Sequence, residues 1–202
     1  SDIKREAAKI INEELTVDDS LFLYHDVCTN GIGYVDLMFK TDSIAPEQIP
    51  YLGLLKSVLG YVDTENYTYG ELFNEINANT GGINCGVEVF DRADSTEEFQ
   101  AMFSVRGKAL YTKMDFLFKM IGEILNSSKL EDTKRLYEIV ASVKSRAQVN
   151  LTGAGHSTAV LRAAAYSSPM AAFQDEMAGI GYYQFIEKLE KDFEQRKEEI
   201  GR

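Results

Sequence analysis

Histidine and cysteine, on which most protein metal sites depend, are scarce in this sequence: His25, His156, Cys28 and Cys85 are all there are. None of the four stands at the helical spacing of H-E-x-x-H or at the spacing of paired zinc cysteines. Cys28 follows His25 by three residues, but in a strand-then-turn context. No bound metal is expected; His25 reads as an ordinary strand residue and His156 as a polar residue at a helix start. Two thiols make no disulfide framework and suit a reducing compartment, so a cytoplasmic location is expected. Tryptophan is absent, and the phenylalanines and tyrosines sit at core-compatible spacings, which points to packing and not to a stacking platform. No apolar run approaches the ~20 residues of a membrane span, and no signal-peptide pattern is visible.

Basic residues are also in deficit. There are 21 Lys and Arg against 32 Asp and Glu, for a net charge of −11. That balance argues against nucleic acid and against an anionic membrane, both of which need a basic face. Catalytic signatures are missing as well. There is no G-x-S-x-G elbow. The TGAGHS segment at 152–157 is glycine-rich before a helix but lacks the G-K-[ST] ending of a P-loop. Capping and tight helix entry are expected there, not phosphate binding. The carboxylates fall mostly in runs such as STEE and EKLEKDFE, which read as solvated faces.

What is present is a clear order of elements. Residues 3–15 read as a short amphipathic helix or docked leader, and 21–26 as a short strand. A turn at TNGIG leads into GYVDLMFK, where Val35, Leu37 and Phe39 alternate onto one face expected to be well buried. Helical spacing follows over 46–60, with Pro46 in the first turn and a stripe of Leu52, Leu55 and Leu59 flanked by Leu54 and Val58. Thr68 and Glu71 form a capping box for a second helix. Its inner face is read as Leu72, Phe73 and Ile76, and Gly81 and Gly82 stop it. Two strands come next, one placing Ile83, Cys85, Val87 and Val89 on a face and the other Phe99, Ala101, Phe103 and Val105, with DRADSTEE as the hairpin loop. Helices are expected over about 109–126, 131–149, 156–167 and 180–199. Strands first and helices after predict an α+β fold: a mostly antiparallel sheet with helices packed on one face. The strand entered through TGGINCGVEVF is read two ways. As an edge strand it would pair with an extended peptide, Gly82 letting a second backbone come close; as an inner strand it would pair only with its neighbours. Residues 1–19 are expected to be a leader from a preceding part of a longer chain, and 20–202 one domain. The start at Ser1 without Met and the end inside EKLEKDFEQRKEEIGR fit that expectation.

The segment TNGIGYVDLMFKTDSIAPEQIPYLGLLKSVLGYVDTENYTYGELFNEINANTGGI resembles presequence-protease-type members of the pitrilysin/insulinase zinc metallopeptidases. So do RGKALYTKMDFLFKMIGEIL, TGAGHSTAVLRAAAYSS and GIGYYQFIEKLE, in the same order, and together they cover roughly residues 20–190. The resemblance implies a pitrilysin-like α+β domain, the third of four in a clamshell that closes around unfolded peptides. The family's first domain carries H-x-x-E-H on the helix after its first main strands. In this sequence the matching positions are Leu52, Leu55 and Lys56, so no catalytic or metal-ligating residue carries over. The chain is expected to be a non-catalytic domain that binds no cofactor, with zinc held in the catalytic domain of the parent. Its expected partners are other domains of the same chain and unfolded peptides, basic ones preferred. Gly82, Ile83 and Asn84 match a strand that pairs with substrate in the active domain. Arg106, Arg162, Tyr182 and Tyr183 receive no assisting role. The other reading is a stand-alone scaffold or interaction domain on the same fold.

Overall fold

The computed structural model describes residues 11–92 and 95–200. The chain opens with an antiparallel hairpin of β1 (Ile11–Val17) and β2 (Ser20–Asp26), in register from Ile11 opposite Asp26 to Val17 opposite Ser20. Asp18 and Asp19 form its two-residue turn with φ of 46° and 63°. A tight hairpin needs left-handed backbone at both positions, and Asp tolerates it better than most residues. This corrects the helix expected over 3–15: residues 11–15 are strand, and 3–10 lie outside the described residues. Ile11 and Leu15 mimic a helical i, i+4 pair, but the Asp-Asp turn imposes a strand period. The expected boundary between 19 and 20 falls at the end of this turn, within the hairpin.

The main sheet has three antiparallel strands: β3 (Ile32–Lys40), β4 (Ile83–Arg92) and β5 (Ser95–Leu110), in the order β3-β5-β4. Both β4 and β5 run into the segment expected to be a long loop, so Asp91 and Phe99 pair across the strands. Between β3 and β4 the chain forms α1 (Ile49–Val58), after a single 3-10 turn at Pro46–Gln48, and α2 (Tyr69–Asn79). The capping box at α2 is as expected: Thr68 Oγ1 accepts from Glu71 N at 3.3 Å and Thr68 N donates to Glu71 Oε2 at 2.9 Å. After β5 come α3 (Met114–Ser127), α4 (Thr133–Gly153), α5 (Gly155–Ala164), α6 (Pro169–Ala178), α7 (Ile180–Lys191) and α8 (Phe193–Ile200). Three features differ from expectation. Residues 109 and 110 still belong to β5, α6 has no counterpart among the expected helices, and the last helix is broken at Asp192.

The fold is α+β with helices on one face of the sheet. The inner face of β5 supplies Ala101, Phe103 and Val105 to a core shared with Leu72, Leu117, Met120, Ile121 and Ile124. A second core holds Leu136, Ile139, Val140 and Val143 of α4 against Ile186 and Leu189 of α7. Each such Val, Leu, Ile, Met or Phe side chain contributes about 1.5–3 kcal/mol by leaving water. Two faces are less buried than their pattern suggests. Val35 and Leu37 are only half-buried and Phe39 is 46% exposed, because β3 is an edge strand and the helices lie over β5 and β4. Phe73 is exposed, since α2 buries only Leu72 and Ile76.

Candidate functional site

Two places carry the residues singled out by sequence: α1 and the outer edge of β4. Helix α1 has Pro50 in its first turn and ends at Val58, with Leu59 as its C-cap just before Gly60 turns the chain at φ +84°. Its side chains divide between the two cores. Leu52 and Leu59 enter the sheet core, with Leu55 partly buried against it. Leu54 and Val58 enter the helical core. Gly53 lies under Tyr182 of α7, where a Cβ would stand 2.7 Å from the ring carbon Cε2. A helix presents neighbouring positions about 100° apart, so a stripe this broad commits α1 to packing on two sides.

Of the three residues singled out on α1, Leu52 packs in the sheet core, Leu55 lies partly buried against it and Lys56 is half-buried beside them. Leu52 and Leu55 offer no donor atom to a metal. Lys56 is half-buried, and that desolvation lowers the pKa of its ammonium from the ordinary lysine value. Zinc takes deprotonated nitrogen, sulfur or oxygen ligands, and this set does not fit it. Among the described residues, no group of three or more His, Cys, Asp or Glu is placed to hold a metal ion. His25 is hydrogen-bonded through Nδ1 to Asn12 Oδ1 at 2.6 Å on the hairpin, and His156 lies exposed in α5. The TGAGHS segment is not a glycine loop. Thr152 and Gly153 complete the last turn of α4, and only Ala154 separates α4 from α5.

The strand order puts β4 at the edge of the sheet, on the far side of β5 from β3. Its entry is fixed by three contacts. Thr80 Oγ1 donates to Ile76 O at 2.7 Å, Gly81 N to Lys108 O at 2.7 Å, and Gly82 N to Thr80 Oγ1 at 3.0 Å. Gly82 has φ +104°, a conformation that strongly favours glycine. Ile83, Cys85, Val87 and Val89 turn toward the helices, and burial pushes the Cys85 thiol up to about 11. Asn84 is exposed on the opposite face, across from Arg106. An edge strand of this kind presents unpaired backbone N–H and C=O groups, the recognition chemistry of β-augmentation.

On the same outer face Arg106 bridges the sheet. Its Nε lies 2.7 Å from Asp36 Oδ2 on β3, and its Nη1 lies 3.0 Å from Glu88 Oε1 on β4. Gly86, between Asn84 and Glu88 on that face, has no side chain to obstruct the span. The hydrogen bond to Asp36 raises the Arg106 pKa.

The remaining flagged residues serve packing or local bonds. Tyr182 is buried against α1, and burial raises its hydroxyl pKa. Tyr183 Oη donates to Glu187 Oε1 at 2.9 Å. Arg162 Nη1 pairs with Asp175 Oδ2 at 2.6 Å. Asp175, missed in the sequence, is 1% exposed and also accepts from Ile180 N at 3.0 Å and Gly181 N at 3.1 Å, which anchors the start of α7. The signal was the G-I-G that follows it: a Cβ on Gly179 would lie 2.3 Å from Asp175 Oδ1. Glu123 was also missed. It accepts from Asn66 N at 3.1 Å and from Asn66 Nδ2 at 3.0 Å. Hydrogen bonds from Thr64 and Asn66 hold its carboxyl below the ordinary range.

These features define an α+β domain organised around a buried packing helix and an open sheet edge. The family model for the region associated with subfamily C of the M-sixteen peptidases matches residues 1–189, and the chain belongs to that family. It is 36% identical over 191 residues to protein HypA of Clostridium perfringens, covering 95% of this chain and 20% of that protein. It is 27% identical over 200 residues to presequence protease 1, chloroplastic/mitochondrial, of Arabidopsis thaliana, covering 99% of this chain and 18% of that one. The mitochondrial presequence protease of Yarrowia lipolytica is 29% identical over 168 residues, 83% of this chain and 17% of its own length. The chain thus spans about a fifth of the length of the curated relatives it matches. The resemblance carried by TNGIGYVDLMFK and the segments after it holds at the level of the family.

Proposed function

We propose that this chain is a non-catalytic domain of a zinc-dependent oligopeptidase, forming part of the chamber that encloses unfolded peptides. The observation that carries this reading is α1. Its Leu52, Leu55 and Lys56 stand at the positions matched to the family's zinc helix, and the helix is held between two cores. In this reading the zinc and general base belong to another domain of the same polypeptide. This domain supplies rigid wall. The open edge of β4 at Gly82, Ile83 and Asn84 pairs with extended peptide backbone. The net charge of −11 favours basic peptides.

The test is metal content and peptide cleavage by the purified 202-residue chain. The expected result is substoichiometric zinc and no cleavage of an unfolded basic peptide. One equivalent of zinc that co-purifies with peptidase activity would overturn the reading.

A further inference from the structure

The β1–β2 hairpin has one strongly apolar face. Its register places Ile11, Leu15 and Val17 of β1 on the same side as Phe22 and Tyr24 of β2, with Glu13, Ser20 and Asp26 sharing that side. The five apolar side chains are 46–59% exposed, and every residue of both strands is exposed. Elsewhere in the domain residues of these types divide between the two cores and the surface, where Phe39 and Phe73 are also exposed. A two-stranded hairpin alone is at best marginally stable in water, and a cluster of exposed apolar side chains of this kind marks a contact surface. The hairpin is also acidic throughout. Residues 11–26 include Glu13, Glu14, Asp18, Asp19 and Asp26, and no Lys or Arg.

We propose that this face docks on a surface of the longer peptidase polypeptide outside these 202 residues, an apolar strip edged by Lys or Arg. The inference rests on the reading of the chain as one domain of a longer peptidase. Two observations choose the occupant. The matched relatives are about five times as long as the chain, so most of such a polypeptide lies outside it. Charge selects against a second copy: the face itself carries Glu13 and Asp26, with Asp18 and Asp19 at the turn beside it, so a self-contact would bring these carboxylates against their like, and like charges across an interface oppose association. A basic rim complements them and leaves the apolar strip to supply affinity.

Hydrogen exchange by mass spectrometry on the full-length polypeptide and on the 202-residue chain tests this. In the full-length protein, amides of 11–26 should exchange about 100-fold more slowly than in the 202-residue chain. In the shorter chain they should exchange at a rate independent of concentration. L15K/F22K in the full-length protein should abolish the hairpin's added protection while β5 amides keep theirs. Equal hairpin exchange in both proteins would overturn the inference, and so would concentration-dependent protection in the shorter chain, the mark of a second copy. A full-length protein that carries H-x-x-E-H yet leaves the hairpin fast sinks this inference alone. A reading frame with no further peptidase region sinks the proposed function and this inference with it.

Discussion

Helix α1 and the β1–β2 hairpin are built from the same kinds of residue, and the domain uses them in opposite ways. In α1 the leucines and valine divide between two cores, and Gly53 is shaped to the ring of Tyr182. In the hairpin five apolar side chains of one face meet solvent. Hydrophobicity alone does not distinguish the two. What differs is the partners each element finds among the described residues: α1 packs against β4, α4, α6 and α7, while β1 and β2 pair as a separate two-stranded sheet. The first region joins the two cores, and the second exposes its side chains.

The contrast can be broken by truncating one residue in each region. Leu54→Ala, at a site 4% exposed, should cost about 3 kcal/mol. Leu21→Ala in the hairpin, at a site 68% exposed, should change stability by less than about 0.5 kcal/mol. Urea unfolding of the 202-residue chain measures both, and similar losses would erase the distinction. Next in size is the polar anchor of the helical layer. Asp175→Ala removes a buried acceptor of two backbone N–H groups and of Arg162, and should cost about 2–3 kcal/mol. The expected value lies below that of a fully buried ion pair because Arg162 is 37% exposed. The same unfolding assay reads it.

Glu123 sharpens the comparison by pH. Its folded pKa is depressed, so its contribution is fully present above the ordinary value of 4.5 and is lost as pH falls through the folded value. Glu123→Gln should therefore cost about 1 kcal/mol at neutral pH. The gap to the unsubstituted chain should close below pH 4.5. Stability measured across pH 3 to 7 (roughly the window linkage prescribes) would show a constant gap if the carboxylate were irrelevant. The smallest effect belongs to the outer face of the sheet. Arg106 is 48% exposed, so Arg106→Ala should cost less than about 1 kcal/mol despite two ion pairs. Thermal unfolding at low and at high salt checks that this small term is screened.

Much of this organisation is legible in the sequence where periodicity and chemistry agree. Thr68 and Glu71 announce a helix start, and the structure has it there. The alternation Ile83, Cys85, Val87, Val89 gives β4, and the apolar stripe gives α1. Where signals conflict, the reading fails. Ile11 and Leu15 have helical spacing, and only the Asp18–Asp19 turn reveals a strand pair. Helix α6 begins at Pro169 after the cap Ser168, but its small residues Ala171 and Ala172 carry little amphipathic signal. The pattern of β3 shows which side chains share a face, but not that the strand lies at an edge, which depends on pairing across more than sixty residues. The same limit applies to the site. Leu52, Leu55 and Lys56 are visible in the sequence as residue types on an apolar helix. That α1 joins two cores, and that Asp175 and Glu123 clamp their neighbours, depends on tertiary contacts no local pattern encodes.

The central claim is that α1 is a packing helix at the position of a zinc helix. The direct measurement is thermal unfolding of Leu52→His/Leu55→Glu/Lys56→His, with and without one equivalent of zinc. The substitutions restore the motif residues but put polar groups into a core that has no place for them. The expected result is a Tm lowered by roughly 10 °C, from a loss of about 3–5 kcal/mol, with no recovery on adding zinc. An unchanged Tm together with stoichiometric zinc binding would contradict it.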